Sequence, residues 1–112
     1  MSAEPVIDPH AFGELQANAG ADFVTELVDT FAEEAPMIVA ELRSALADGS
    51  AERFRRAAHS LKSNSSTFGA THLADLARAL EIGALPADAA GIDALAGELE
   101  ATVVVLRSFA RA

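Results

Sequence analysis

Apolar residues recur every three or four positions along most of this chain, the spacing that places side chains on one face of an α-helix. The longest stripe consists of Phe23, Leu27, Phe31, Ile38, Leu42 and Leu46. The last stripe consists of Ile92, Leu95, Leu99, Val103 and Leu106. Between these stripes the same spacing predicts a helix over residues 51–68 and another around Leu73, Leu76 and Leu80.

Capping residues set the expected ends of these helices. Asp8-Pro9 predicts a short first helix that ends near Ala17, because aspartate caps helices well and proline is tolerated at the first helical position. The other expected boundaries are Asp22, Asp48-Gly49, Ser50, Gly69, Gly83 and Asp88. Arg107 and Arg111 are placed where cations favour the C-terminal end of a helix.

Pro36 interrupts the longest stripe, and proline inside a helix either kinks it or splits it. We favour a kinked helix, because the apolar pattern resumes in phase after the proline. Four substantial helices joined by short turns predict an all-α, antiparallel up-down four-helix bundle. We expect the additional short N-terminal helix to lie across one end, and residues 1–112 to form a single domain.

Composition narrows the possible chemistry. The chain has no cysteine, which excludes disulfides, thiolate catalysis and cysteine-based metal sites. Its net charge of −9 argues against a nucleic-acid or anionic-membrane partner, since both are polyanions. The N-terminal segment, residues 1–5, lacks the basic region and apolar run of a signal peptide, and no apolar segment is long enough to span a membrane. These features are compatible with a cytoplasmic protein.

The charge is unevenly distributed along the chain. Residues 50–72 carry Arg53, Arg55, Arg56 and Lys62 against Glu52 alone, a local charge of +3. The helix over residues 51–68 is therefore expected to be a cationic strip on an acidic protein.

This helix also carries the residues with the clearest chemical potential. Its predicted buried stripe consists of Phe54, Ala58, Leu61, Ser65 and Phe68. With about 100° between successive residues, His59 points roughly 140° away from the centre of that stripe and is expected to be exposed. Ser63 and Ser66 lie close to His59, and Lys62 follows one turn later.

An exposed neutral imidazole is a good nucleophile that can carry a phosphoryl group, and transfer requires nearby positive charge, which Lys62 supplies. Gly69 predicts a hairpin between this helix and the next. His59 precedes the turn by ten residues and Glu81 follows it by twelve, so the two lie at similar heights. We expect Glu81 to accept the Nδ1 proton of His59 and leave Nε2 as the nucleophile.

Residues 55–81, about a quarter of the chain, carry a family resemblance. The matching motifs are His59-Ser60-Leu61-Lys62-Ser63-Asn64-Ser65-Ser66, Phe68-Gly69-Ala70, Leu73, Leu76 and Leu80-Glu81. They resemble the signature of histidine phosphotransfer (HPt) domains. The resemblance implies a four-helix bundle whose exposed histidine accepts phosphate from an aspartyl phosphate on a response-regulator receiver domain and passes it to another receiver.

The resemblance implies that His59 is phosphorylated, that Lys62 stabilises the phosphate and that Glu81 orients the histidine. Ser63 replaces the glycine that often follows the lysine in the family. The expected receiver-docking residues are Arg55, Arg56, Ser63 and Ser66. The implied partners are receiver domains and a hybrid sensor histidine kinase. A monomer without its own cofactor is expected, with Mg²⁺ held by the receiver.

Three other interpretations compete with phosphotransfer. A metal-dependent bundle would use His10, His59 and His72, but no Glu-x-x-His or His-x-x-x-His spacing supports it, and we expect His10 and His72 to be surface residues. An autonomous kinase is disfavoured, because the chain has no glycine-rich phosphate loop. A non-catalytic helical adaptor explains the apolar stripes but gives the exposed His59 no purpose.

Overall fold

The computed structural model describes residues 6–111 of the 112-residue chain, apart from the side chain of Arg111. The described residues form five α-helices and no β-strand. The helices are α1 (Pro9–Ala19), α2 (Ala21–Asp48), α3 (Ala51–Thr67), α4 (Thr71–Ile82) and α5 (Ala90–Arg111). The predicted all-α class is confirmed. The N-terminal segment considered above, residues 1–5, and the side chain of Arg111 lie outside the described residues.

Two of the four predicted N-caps, Asp8 and Ser50, occupy the N-cap positions of their helices, and a third, Asp88, lies one residue before the N-cap position of α5 but also bonds to its first turn. Asp8 Oδ1 accepts hydrogen bonds from the backbone N–H groups of His10 and Ala11, Ser50 Oγ accepts from Arg53, and Asp88 Oδ1 accepts from Ala90. Each bond satisfies a backbone donor that the first turn of a helix leaves without an intrahelical partner.

Two boundaries in the first part of the chain differ from prediction. The first helix continues past Ala17 to Ala19, and the predicted Asp22 cap is wrong, because Gly20 occupies the N-cap position of α2. Gly20 has a φ of 94°, which separates α1 from α2 without a longer loop. Asp22 lies in the first turn of α2, where a carboxylate interacts favourably with the helix dipole.

The buried face of α2 is rotated relative to the predicted stripe. Phe23 is 52% exposed, whereas the neighbouring Val24 is fully buried. The buried residues of α2 are Val24, Val28, Phe31, Ala35, Val39, Leu42 and Ala45. Phe31 and Leu42 are buried as predicted, but the other five buried residues are alanines and valines outside the predicted stripe, whose remaining members are exposed or only partly buried. Helix α2 runs through Pro36 without a break, which excludes the split considered above.

The four longer helices form an up-down bundle in which α2 contacts α3 and α5, while α4 contacts α3 and α5. Helix α1 lies at the end of the bundle where α3 gives way to α4 and where α5 ends. Asp8 N donates a 2.8 Å hydrogen bond to Gly69 O, and the Phe12 ring lies 5.6 Å from the Phe109 ring. The predicted bundle with a short helix across one end is therefore present.

The turn between α3 and α4 depends on Gly69. This residue has a φ of 74°, and the N–H groups of Gly69 and Ala70 bond to the carbonyls of Ser66 and Ser65, as in a Schellman motif. A Cβ atom at Gly69 would lie 2.9 Å from Ala11 Cβ, too close for ordinary contact. A tight turn and a close approach by α1 therefore both require glycine here, and the turn fixes the pairing of α3 with α4.

No helix within residues 6–111 has the combination of length and apolar composition needed to cross a lipid bilayer.

Candidate functional site

Helix α3 holds His59 on the solvent side of the bundle. The buried side chains of α3 are Phe54, Ala57, Ala58, Leu61 and Ser65. Ser65 Oγ donates a 2.7 Å hydrogen bond to Leu61 O, so this core hydroxyl is satisfied within the helix, as predicted. The His59 side chain projects away from this face and is 58% exposed. A helix whose opposite face is packed in the core therefore presents an accessible imidazole.

Glu81 meets His59 from α4. The distance between His59 Nδ1 and Glu81 Oε2 is 2.6 Å, and the Glu81 side chain is only 21% exposed. The contact joins residues 22 positions apart in the sequence, and the α3–α4 hairpin brings them level. His59 and Glu81, which the sequence predicted to lie at the same level of the α3–α4 hairpin, are therefore in contact.

Lys62 contacts the other oxygen of the same carboxylate. Its Nζ lies 2.8 Å from Glu81 Oε1, an ion-pair distance, although the approach lacks hydrogen-bond geometry. That oxygen is buried and has no other partner among the described residues. The sequence placed Lys62 and Glu81 each beside His59 but did not indicate that they pair with each other. One carboxylate therefore bridges the histidine and the lysine.

The pKa of Glu81 lies below its ordinary value. The ion-pair contact with Lys62 is the largest cause, the hydrogen bond with His59 is the second, and partial burial opposes both. Glu81 is therefore an anion at neutral pH, and a carboxylate anion can only accept hydrogen bonds. We accordingly assign the proton of a neutral His59 ring to Nδ1, which leaves the Nε2 lone pair available to an incoming electrophile.

The predicted docking residues surround His59 but differ in their contacts. Ser63 and Ser66 are exposed on α3, and Arg55 forms no ion pair within the described part of the chain. Arg56 pairs with Glu52 at 2.7 Å, both side chains being exposed. These surface residues lie on the same helix as the histidine, and none of them contacts it through a hydrogen bond in the described structure.

The expected cationic strip on α3 is largely neutralised, which corrects the prediction from local charge. Arg53 pairs with Glu41 at 2.9 Å and with Asp48 at 2.7 Å, and these bonds raise the pKa of its guanidinium above the ordinary value. Arg56 and Lys62 also have acidic partners. The count over residues 50–72 already included Glu52, but it missed Glu41 and Asp48, which come from α2, and Glu81, which comes from α4.

A groove lies between α2 and α3. It encloses about 470 Å³ and includes Ser60, the residue after His59, together with Ala57, Ile38 and Met37. Met37 is 69% exposed, an unusual position for a large apolar side chain. The apolar pattern of the sequence does not predict this surface, because Met37 lies outside the predicted stripe and only the observed rotation of α2 brings it beside α3.

The other two histidines lie elsewhere on the surface. His10 Nε2 is 3.1 Å from Glu14 on α1, and His72 Nδ1 is 3.7 Å from Glu98 on α5. Both are surface residues, as predicted, although each has an acidic neighbour that the sequence pattern did not reveal. Within the described residues, no three potential histidine or carboxylate ligands come together around a metal-sized space.

Comparison with known proteins agrees with this geometry. The family model of the Hpt domain matches residues 26–104, which include His59, Lys62 and Glu81. The chain is also similar to the crystal structure of histidine-containing phosphotransfer protein B (HptB) from Pseudomonas aeruginosa PAO1. The TM-score is 0.75 at 28% identity, and the alignment covers 97% of this chain and 94% of that one. No curated protein matches the chain significantly. The chain belongs to the Hpt-domain family, the histidine phosphotransfer proteins of phosphorelays.

Proposed function

We propose that His59 is the phosphorylated residue of this carrier, receiving its phosphoryl group from a receiver-domain aspartate and relaying it to a second receiver. The observation that carries the proposal is the exposed imidazole whose Nδ1 lies 2.6 Å from Glu81, with Nε2 directed away from that contact. Phosphohistidine formation requires such a free, neutral ring nitrogen.

The transfer step follows from this arrangement. The Nε2 lone pair forms a bond to phosphorus while the bond from phosphorus to the aspartyl oxygen breaks, and that oxygen keeps the electron pair. Negative charge on the transferred group is stabilised by Lys62, whose ammonium is held one turn from His59 by Glu81. A Mg²⁺ ion on the receiver would supply further charge from the partner's side.

The second part of the proposal concerns docking. The α2–α3 groove includes Ser60, the residue after His59, so a receiver that covers the groove would bring its aspartate close to the imidazole. Arg55 and Arg56 are placed to attract the acidic face of a receiver. Ser63 and Ser66 provide small side chains around the ring, although Ser63 carries a hydroxymethyl group where the family often has none. We therefore propose that Ser63 limits how closely a receiver can approach.

We assign this chain the role of a carrier that does not itself use a nucleotide. The phosphoryl group must then enter the relay from another protein, and we propose that this protein is a hybrid sensor histidine kinase. We propose that the carrier acts as a monomer in the cytoplasm, where ATP sustains the kinase. No membrane or nucleic acid takes part in the proposed reaction.

Incubation with a phosphorylated receiver tests the proposal. The protein should acquire phosphate that is acid-labile and alkali-stable, and His59→Gln should acquire none. Label of equal intensity in His59→Gln would contradict the assignment of the site. If no receiver from the source cell transfers phosphate but one binds stably, the non-catalytic adaptor interpretation is supported instead.

A further inference from the structure

We propose that the apolar groove between α2 and α5 docks a basic, amphipathic helical segment of a partner protein. The groove encloses about 330 Å³. It lies on the opposite side of the bundle from the contact between His59 on α3 and Glu81 on α4, because α2 and α4 each pack between α3 and α5. A partner in this groove therefore leaves the histidine uncovered, and this second surface does not depend on the proposed function of His59.

The floor of the groove is apolar and consists mostly of small side chains. The residues that line it are Ala32, Pro36, Val39, Ala96, Leu99, Glu100 and Val103. Val39 and Leu99 are buried at its base. Val104, one turn after Glu100, is 69% exposed and extends the apolar surface of α5 beyond the groove. Small residues on two neighbouring helices leave a channel that accepts the larger apolar side chains of a third helix.

Pro36 adds a hydrogen-bond acceptor to this surface. Proline has no backbone N–H, so the carbonyl oxygen of Ala32 does not receive the hydrogen bond that residue 36 of a continuous helix would donate. Ala32 and Pro36 both line the groove, and Pro36 is exposed. The carbonyl is thus available to a donor on a bound molecule, and lysine and arginine side chains carry several donors each.

The carboxylates around the groove favour a basic partner. Asp29 and Glu33 share the outer face of α2 with Pro36, and Glu100 lines the groove from α5. All three carboxylates are exposed, and none has an ion-pair partner within residues 6–111. Lysine or arginine residues at the edges of a docked helix would supply these partners.

The cations at the two ends of the groove do not cancel this charge. Arg43, one turn after Val39, is paired with Asp93 at 2.7 Å. Arg107, one turn after Val103, adds a single positive charge at the opposite end. The groove therefore keeps a net negative charge. A second copy of the chain is disfavoured as the occupant, because each copy carries a net charge of −9 and the two would repel each other.

The groove on the other side of α2, between α2 and α3, has a different charge. Its lining includes Arg53 and Arg56 together with Glu34 and Glu41. A basic helix with an apolar stripe therefore complements the α2–α5 groove, whereas it would meet like charges at the α2–α3 groove.

Titration of the full chain with a synthetic peptide tests this surface. The probe is a helix-forming peptide of about 14 residues, or four turns, with leucine on one face and lysine on the other. The backbone amide signals of the ¹⁵N-labelled protein are followed by NMR. We expect the largest shifts at the residues that line the α2–α5 groove and little change at His59. Shifts centred on the α2–α3 groove, shifts spread evenly over the acidic surface, or no shifts at all would overturn the inference.

Two single substitutions with opposite expectations separate docking from general attraction between opposite charges. Glu33→Lys reverses a charge beside the groove, and we expect it to weaken peptide binding about fivefold or more in fluorescence anisotropy. Asp75→Lys makes the same change in net charge on α4, away from the groove, and should leave the affinity within about twofold of the wild type. Equal weakening in both variants would overturn the inference.

Ala96→Phe tests the apolar contact, because it fills the groove without a change in charge. We expect it to weaken peptide binding about fivefold or more while circular dichroism shows that the helices are retained, and wild-type affinity in the folded variant would contradict the proposal. Analytical ultracentrifugation of the protein alone examines the other possible occupant. A dimer that Ala96→Phe disrupts would assign the groove to a second copy and overturn the inference.

Discussion

Within residues 6–111 there are two pairs in which a histidine meets a glutamate from the next helix, and the two pairs differ in distance although their exposures are similar. His59 and His72 are each 58% exposed, and their partners Glu81 and Glu98 are 21% and 18% exposed. The first pair is separated by 2.6 Å, a strong hydrogen bond, whereas the second is separated by 3.7 Å, which is too long for one. The two pairs therefore have similar exposure, but only His59 and Glu81 are close enough to form a hydrogen bond.

The two pairs also differ in the charge of the residue three positions after the histidine. Lys62 follows His59 at this spacing and pairs with Glu81, whereas Asp75 follows His72. A phosphoryl group on His72 would thus face a carboxylate one turn away, where a group on His59 would face an ammonium. Glu98 Oε2 is buried without a hydrogen-bond partner among the described residues. The bridge through Glu81 to Lys62, and not the histidine–glutamate contact alone, therefore distinguishes the proposed phosphoryl-transfer site from the pair at His72.

The largest expected effect separates the two histidines directly. Phosphoramidate labelling should be lost in His59→Gln and should remain at the wild-type level in His72→Gln, because of these two histidines only His59 has an Nδ1 within hydrogen-bond distance of a carboxylate and a cation one turn away. The phosphate bound to each variant is quantified after equal times of incubation with phosphoramidate. Equal loss in both would remove the distinction between the pairs.

Removal of the cation should give the next largest effect. Lys62→Met keeps the length of the side chain but removes its charge, and we expect transfer from a phosphorylated receiver to slow about tenfold or more. The rate is measured in single-turnover experiments, and circular dichroism checks that the helices are retained. Arg107→Met, which removes an exposed cation from α5, is the control and should leave the rate unchanged. The same slowing in both variants would attribute the effect to net charge.

Substitution of Gly69 tests the α3–α4 hairpin, which brings Glu81 level with His59. Gly69→Ala forces a side chain into a backbone with φ 74° and against Ala11, so we expect a loss of about 1–3 kcal/mol in the free energy of unfolding. Urea denaturation measures this loss. His59 lies about three helical turns from the glycine, and we expect its labelling to persist under native conditions. An unchanged stability would contradict the packing of α1 against this turn.

The smallest expected effect is on acid stability. The folded-state pKa of Glu81 is lowered, so its contacts stabilise the protein above the pKa of the unfolded chain, and this contribution is lost as pH falls through the folded value. Glu81→Gln should therefore show a shallower loss of stability from about pH 5 downward than the wild type, because glutamine does not titrate. Urea denaturation at several pH values measures the slope, and a steeper slope in the variant would contradict the assigned sign.

Much of the fold could be predicted from short-range sequence patterns. The helical spacing, the side-chain caps at Asp8, Ser50 and Asp88 and the hairpin turn at Gly69 each depend on a few adjacent residues, and each was predicted. The rotation of α2 was not, because the larger Phe23 and the smaller Val24 offer nearly equivalent starts to an apolar stripe. Only packing against the other helices selects between them.

The candidate site likewise has features that the sequence predicted and features that depend on packing between helices. The sequence by itself determined that His59 lies on the exposed face of α3 and that Glu81 reaches the same height on α4, because helical periodicity and the hairpin are local properties. Only the tertiary structure decided that Lys62 pairs with Glu81 and that Arg53 is neutralised from α2. Ion pairs between helices depend on distances of a few ångströms between side chains, and periodicity places a residue on a face without fixing those distances.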